Sequence, residues 1–243
     1  IANNVLAHLN NVVDIIKGIK HLLYKDGVFV FENSYFKDMY VNNLPDLIYH
    51  EHMSHYLVYP LQVMFQANNM CFFDVQSQDV HGGSIRGFVS NERREVTNVD
   101  DFIKIERELG LIARGDKNIK MANWSQRIDK LRGDLWKAIN NYVDEGKKIV
   151  CYGAPAKFTT LSYLLDLNKE TIAYVVDDNP LKQGTYSPGK HIPVMPSSEL
   201  KKNKPDVIIV TAWNFSESII EKCRKSGFKG KFIIPLPELR IIE

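Results

Sequence analysis

The sequence is poor in cysteine, has no apolar run long enough to cross a bilayer, and carries no block of like charge. Its three cysteines, Cys71, Cys151 and Cys223, are scattered, odd in number and set in strand-like or helix-like surroundings. They imply neither a disulfide framework nor a metal site. The longest apolar runs fall well short of the ~20 residues that a spanning helix needs. The first residues lack the plan of a signal peptide, so no membrane partner is expected. Lys and Arg number 31 against 29 Asp and Glu, leaving a formal net charge of +2, which argues against nucleic acid as a partner. What remains is a globular chain of 243 residues, long enough for two domains, with the cytoplasm as its expected compartment.

One decapeptide, Leu47 to Tyr56 (LIYHEHMSHY), concentrates three of the seven histidines with a glutamate and two tyrosines. No other window is so dense in groups that move protons near neutral pH. The plainer reading is a solvated polar loop whose histidines cap neighbouring backbone. Its surroundings favour chemistry. Upstream, Ile1 to Leu6 reads as the end of a strand, and Val12, Ile15, Ile16, Ile19, Leu22 and Leu23 fall on one helical face. Gly27 is the expected left-handed cap, and Val28 to Phe31 reads as a strand buried on both faces. Strand, helix, strand is the unit of a parallel α/β sheet, whose ligands bind at the carboxyl ends of the strands, where the decapeptide follows.

A helix is expected over Tyr59 to Asn69 with Leu61, Met64 and Phe65 inward, then strands at Cys71 to Val75 and Ser84 to Val89. Between them, His81-Gly82-Gly83-Ser84 forms a turn whose paired glycines let backbone approach a ligand. The two strands can close the sheet as an antiparallel hairpin. The charged, turn-rich passage Asn91 to Asp101 marks a boundary. Helices follow at Phe102 to Leu109 and Met121 to Glu145, the second with Trp124, Ile128, Leu131, Leu135, Ala138 and Tyr142 as a packing stripe.

The last hundred residues alternate again. Strands are expected at Ile149 to Tyr152, Ile172 to Val176, Val207 to Thr211 and Phe232 to Ile234, with helices at Ala156 to Leu165, Ser197 to Lys201 and Phe215 to Lys225. Tyr152-Gly153-Ala154-Pro155-Ala156-Lys157 is a strand-to-helix turn suited to an anion. Asp177-Asp178-Asn179-Pro180 closes the next strand where dinucleotide-binding proteins place an acid for ribose. Yet GAPAK is not G-x-G-x-x-G, and Gly153 and Pro155 also suit a plain tight turn. The divisions predicted are residues 1–95, a helical connector 96–146, and an α/β domain 147–243.

ANNVLAH, YHEH, HGGSIR, YGAPAKFTT and VVDDNPLKQGTYSPGKHIPV, in this order, resemble the sugar C-methyltransferases, which act on nucleotide-linked deoxysugars such as dTDP-4-keto sugars. The resemblance covers essentially the whole chain. It implies the second half of a class I, Rossmann-like methyltransferase domain followed by a smaller Rossmann-like α/β domain that helps hold the nucleotide-diphosphate sugar. It also implies S-adenosylmethionine as cofactor, with an incomplete site in this chain because the glycine-rich loop of the family is missing. Zinc is expected only in the family's amino-terminal module. That missing half would come from the same longer chain or from a partner subunit.

In similar proteins YHEH supplies the catalytic apparatus. A 4-keto sugar has an acidic proton on the adjacent carbon; its removal gives an enolate that attacks the methyl donor. The resemblance assigns His52 as base, Glu51 as the group that sets its tautomer or binds sugar hydroxyls, and Tyr49 as enolate donor or alternative base. His8 shares the oxyanion work, and Asn3 and Asn4 are cofactor-side residues. His50 and His55 are expected to be surface or supporting residues. Substrate contacts are expected from His81, Gly82, Gly83, Ser84 and Arg86, and from Tyr152, Gly153, Ala154, Lys157, Asp177, Asp178 and Asn179. Three rivals remain: an NAD-dependent sugar oxidoreductase, a zinc enzyme built on His50, Glu51 and His52, and a non-catalytic nucleotide-sugar-binding fragment.

Overall fold

The computed structural model of the chain describes residues 1–112 and 119–243, so part of the predicted connector lies outside the described residues. It divides into two compact units, one of residues Ile1–Asn42 and His50–Asn123, the other of Asn43–Tyr49 and Trp124–Glu243.

The first unit is built on a four-stranded sheet. Its strands are β1 (Ala2–Asn3), β2 (Val28–Ser34), β3 (Cys71–Gln78) and β4 (Ser84–Ser90), in the order β1-β2-β4-β3. β1 and β2 pair in parallel, and β4 runs antiparallel to both β2 and β3. The expected hairpin therefore forms, and its second strand inserts between β2 and β3. Helices α1 (Val12–Leu22), α2 (Phe36–Val41), α3 (Val58–Ala67) and α4 (Val99–Glu108) belong to this unit. Asn11 caps α1 by accepting a hydrogen bond from the amide of Asp14 at 3.3 Å.

Two expectations change here. α1 ends at Leu22, with Leu23 extended, and Gly27 does not adopt a left-handed conformation but sits in the turn closed by its own amide on the Tyr24 carbonyl. β2 alternates rather than being buried throughout: Phe29, Phe31 and Asn33 face inward, while Val28 is exposed. Its two sides differ because the apolar filling lies on one face. Phe29, Phe31, Phe65 and Phe72 meet there with ring centroids 5.7–6.5 Å apart, each burial contributing about 1.5–3 kcal/mol.

Gly87 of β4 makes this aromatic layer possible, since a Cβ there would lie 2.3 Å from the Phe31 ring and 2.9 Å from that of Phe72. Gly87→Ala should destabilise the unit by about 1–3 kcal/mol, the usual cost of overpacking. A denaturant midpoint unchanged from the parent would show that the ring shifts freely.

The second unit follows the expected alternation. A long helix, α5 (Ile119–Asp144), precedes it, burying Trp124, Leu131, Leu135 and Ile139. Strands β5 (Ile149–Tyr152), β6 (Ile172–Val176), β7 (Val194–Met195), β8 (Val207–Val210), β9 (Lys231–Ile234) and β10 (Arg240–Ile242) form one sheet in the order β10-β9-β8-β5-β6-β7. All pairs are parallel except β10 on β9. Helices α6 (Phe158–Leu164), α7 (Glu199–Asn203) and α8 (Ser216–Lys225) complete the unit. Strand order reverses between β5 and β8, the position at which open α/β sheets bind ligands. Among the described residues, no helix is long and apolar enough to cross a membrane.

Candidate functional site

The carboxyl ends of β1 and β2 lie at one edge of the first sheet, because these strands are parallel. Past β1, Asn4 takes a left-handed turn (φ 53°) and donates its amide to the Glu32 carbonyl at 2.8 Å. A short 3-10 turn, Leu6–His8, then buries Leu6 and Ala7 and leaves His8 exposed. The later segment Met53 to Tyr56 is fastened onto that turn. Met53 and Ser54 both donate their amides to the Ala7 carbonyl, at 2.8 and 3.3 Å, and the Tyr56 hydroxyl donates to the Leu6 carbonyl at 3.3 Å. Tyr56 is also bridged to Tyr35 at the end of β2.

These ties bring three imidazoles together. The rings of His8 and His52 lie 5.0 Å apart, edge to face, and those of His52 and His55 lie 5.6 Å apart in the same manner. His55, expected to be a surface or supporting residue, is half-buried beside His52, and its Nε2 is buried without a hydrogen-bond partner among the described residues. Burial first, and then the neighbouring His52, lower its pKa to about 4, so it is neutral at physiological pH. His50 and Glu51 form an open pair, Nε2 to Oε1 3.8 Å, on exposed side chains, and such pairs contribute little. Tyr49, by contrast, lies in the Asn43–Tyr49 segment that packs with the second unit.

The glycine turn is geometrically demanding. His81, Gly82 and Gly83 all have positive φ (54°, 86° and 122°), and a Cβ on Gly83 would lie 2.3 Å from Cβ of Asp38. The carbonyls of Gly82 and Gly83 accept hydrogen bonds from the Asn42 side chain and the Tyr35 amide, at 3.2 Å each. Ser84 is buried and its hydroxyl donates to the Val80 carbonyl. Arg86 lies within β4 directly opposite Glu32 of β2, and its guanidinium donates to the Glu32 carboxylate at 2.7 Å.

In the second unit, the loops after β5, β6 and β8 are linked to one another. Gly153 (φ 101°) abuts Ala212, whose Cβ would stand 2.4 Å from any Cβ added there, and the Thr211 hydroxyl donates to the Gly153 carbonyl at 2.6 Å. Asp177 accepts from the Ala154 amide at 2.7 Å through one oxygen and from the Asn179 amide at 2.9 Å through the other. Its carboxylate thus occupies the first amide after Gly153. Lys182 donates to the Ala154 carbonyl at 2.7 Å. The Tyr152 hydroxyl donates to Asp178, which also pairs with Lys222 at 2.5 Å. Burial and then Asp178 push the Tyr152 phenol upward, so it remains a donor.

Sequence reasoning missed two residues here. Lys157 pairs with Asp46 at 3.1 Å and lies 4.3 Å from the centre of the Trp213 ring, while the Trp213 indole donates to the same Asp46 oxygen at 2.7 Å. Trp213 was findable, since it follows β8, where the strand order reverses. Nothing in the Pro45-Asp46-Leu47 tripeptide signals a buried carboxylate. Among the described residues, no group of three or more His, Cys, Asp or Glu side chains is placed to hold a metal ion.

Residues 79–237 match the family described as the C-methyltransferase C-terminal domain. The chain is also similar to the C-methyltransferase NovU of Streptomyces niveus, 32% identical over 244 aligned residues that cover 97% of this chain and 56% of NovU. It therefore spans about half the length of that curated relative.

Proposed function

The chain belongs to the C-methyltransferase family, and we propose that it forms the carboxyl-terminal part of an S-adenosylmethionine-dependent, cytoplasmic enzyme that methylates a nucleotide-linked keto-deoxysugar through an enolate. On this reading the first unit is the second half of a class I methyltransferase domain, completed by an amino-terminal half from the same longer chain or a partner subunit. The second unit is a Rossmann-like domain that holds the nucleotide sugar. The observation that carries the reading is the cluster of His8, His52 and His55 at the carboxyl edge of the first sheet.

A ketone acidifies the hydrogen on its neighbouring carbon, and removing it near neutral pH needs a base and a donor for the developing oxyanion. His52 takes the proton, Glu51 sets its tautomer or accepts from a sugar hydroxyl, and Tyr49 donates to the enolate oxygen or serves as the alternative base. His8, whose ring lies 5.0 Å from that of His52, shares the oxyanion work. Asn3 and Asn4 close the open carboxyl end of β1, and polar side chains there suit a charged cofactor. S-adenosylmethionine, when bound, supplies an electrophilic methyl group. On the substrate side, His81, Gly82, Gly83, Ser84 and Arg86 border the sugar, and Tyr152, Gly153, Ala154, Lys157, Asp177, Asp178 and Asn179 border the nucleotide diphosphate. A diphosphate at the second set meets the Lys157 ammonium, whose remaining N–H groups keep the pair with Asp46, and competes with Asp177 for the Ala154 amide.

Separate calorimetric titrations of a dTDP-4-keto-deoxysugar and of S-adenosylmethionine into this chain, with a methyl-transfer assay on the complete enzyme, test the reading. Nucleotide-sugar binding to the chain, weak or absent cofactor binding, and transfer of labelled methyl to sugar carbon are expected. Micromolar cofactor binding by the chain alone would show a self-sufficient site, and failure of every keto sugar as acceptor would overturn the substrate class.

A further inference from the structure

The Asn43–Tyr49 segment is held by the second unit through side chains rather than by regular secondary structure. Leu44, Pro45, Asp46 and Leu47 are buried, and Pro45–Leu47 forms a single 3-10 turn. Asp46 is fully buried, and its Oδ2 is shared by the Lys157 ammonium at 3.1 Å and the Trp213 indole N–H at 2.7 Å. One turn further on, the Thr160 hydroxyl at the start of α6 donates to the Ile48 carbonyl at 2.9 Å. Tyr49 is the next residue.

This is a costly way to pack a turn. A buried ion pair loses the solvation of both partners, and apolar residues of the same volume often serve stability as well or better. Here the cost is compounded, because Oδ1 of Asp46 is buried with no hydrogen-bond partner among the described residues. In some proteins a buried polar group of this kind is retained because it fixes one geometry out of several. The geometry fixed is specific: Lys157 comes from the loop after β5 and Trp213 from the loop after β8, the two strands between which the sheet order reverses. The ammonium sits over the indole ring, so Asp46 faces two donors that also contact each other.

We propose that Asp46 is a positioning residue for Tyr49. Its bonds to Lys157 and Trp213, with that of Thr160 to Ile48, fix the backbone from which Tyr49 reaches the sugar. Asp46 touches no substrate in this account; it acts through the phenol three residues away. The inference rests on the functional reading above, in which Tyr49 is a donor to the enolate.

The test is a double-mutant cycle on kcat in the complete enzyme. Asp46→Asn keeps an acceptor for Trp213 but leaves Lys157 unpaired, and should lower kcat by about 10²-fold, as misplacement of a reacting group by an ångström does, with KM for S-adenosylmethionine unchanged. In a Tyr49→Phe background the same substitution should lower kcat no further, because the group it positions is already gone. Asp46→Asn with Lys157→Met, which removes both charges and keeps the indole bond, should recover part of the lost kcat at saturating nucleotide sugar while raising KM for that sugar, since Lys157 also borders the diphosphate. If Asp46→Asn does not fold, Thr160→Val replaces it in the cycle, with a smaller loss and the same non-additivity. An unchanged kcat in the folded Asp46→Asn or Thr160→Val variant, or losses that multiply with Tyr49→Phe, overturns the proposal while leaving Tyr49 active. A Tyr49→Phe variant with unchanged kcat instead overturns the functional reading beneath it.

Discussion

His52→Asn in the complete enzyme is expected to abolish methyl transfer while nucleotide-sugar affinity stays within a few-fold. Asparagine keeps a polar group of similar reach but cannot accept and hold a proton near neutral pH, so on the proposed enolate route the step lost is the removal of hydrogen from the carbon beside the ketone. A general base of this kind contributes about 10²–10⁴ in rate, and the remaining members of the cluster are poor substitutes. His55 is neutral down to a pH of about 4, but its Nε2 is buried, out of reach of a substrate proton. His8 is exposed and lies 5.0 Å from His52, centroid to centroid, on a separate turn of chain. Exchange of the sugar's acidic hydrogen with deuterated solvent should therefore stop together with transfer. If exchange persists undiminished while transfer is lost, the base is Tyr49 or His8, and His52 acts later, on the oxyanion.

That prediction joins residues the sequence displayed openly with an arrangement it did not. YHEH was visible as a local density of titratable groups, and His8 followed from the resemblance. The contact between them depends on backbone bonds from Met53 and Ser54 to Ala7, across some 45 residues of chain, which no local pattern encodes. His55 was left between a surface and a supporting residue for a similar reason: besides His52, its ring packs on Phe36, 19 positions earlier in the chain. Strands whose apolar runs are four or five residues long, β5, β6 and β8, were legible nearly to the residue. The two-residue β7 and the three-residue β10 were not, since edge strands this short carry too few side chains to show a period. α2 was missed as well, because Phe36–Val41 is a six-residue helix without a capping side chain. Gly27 shows the converse error: glycine after a helix suggests a left-handed cap, but this helix had already ended.

Glu106→Ala should cost the first unit about 3–5 kcal/mol, enough to consume much of the 5–15 kcal/mol that domains typically hold. Glu106 is fully buried on α4, yet nothing in its sequence surroundings marks it. Its carboxylate accepts from the Val58 amide at 2.6 Å, the Tyr59 amide at 3.1 Å and the Tyr35 hydroxyl at 2.9 Å. It therefore caps α3 from outside that helix and fixes Tyr35 at the end of β2, beside the segment that presents His52 and His55. Truncation orphans three donors, each costing about 1–3 kcal/mol if left buried, less whatever the structure recovers by relaxing. Burial raises the Glu106 pKa in spite of the three hydrogen bonds that lower it. A carboxyl raised in the folded state stabilises fully below its unfolded pKa of about 4.3 and loses that contribution as pH rises through the folded value. Stability of the first unit should accordingly fall with rising pH in the window just above 4.3. Glu106→Gln, which cannot ionise, should abolish that slope while still orphaning one amide. The three tryptophans, Trp124, Trp136 and Trp213, all lie in the second unit, so indole fluorescence reports that unit while far-ultraviolet circular dichroism reports both. In guanidinium titrations the Ala variant should show an early dichroism transition with the fluorescence midpoint nearly unmoved. Coincident, unshifted transitions by both probes would mean that water or a neighbouring side chain replaces the carboxylate, and that α3 is held by its apolar face alone.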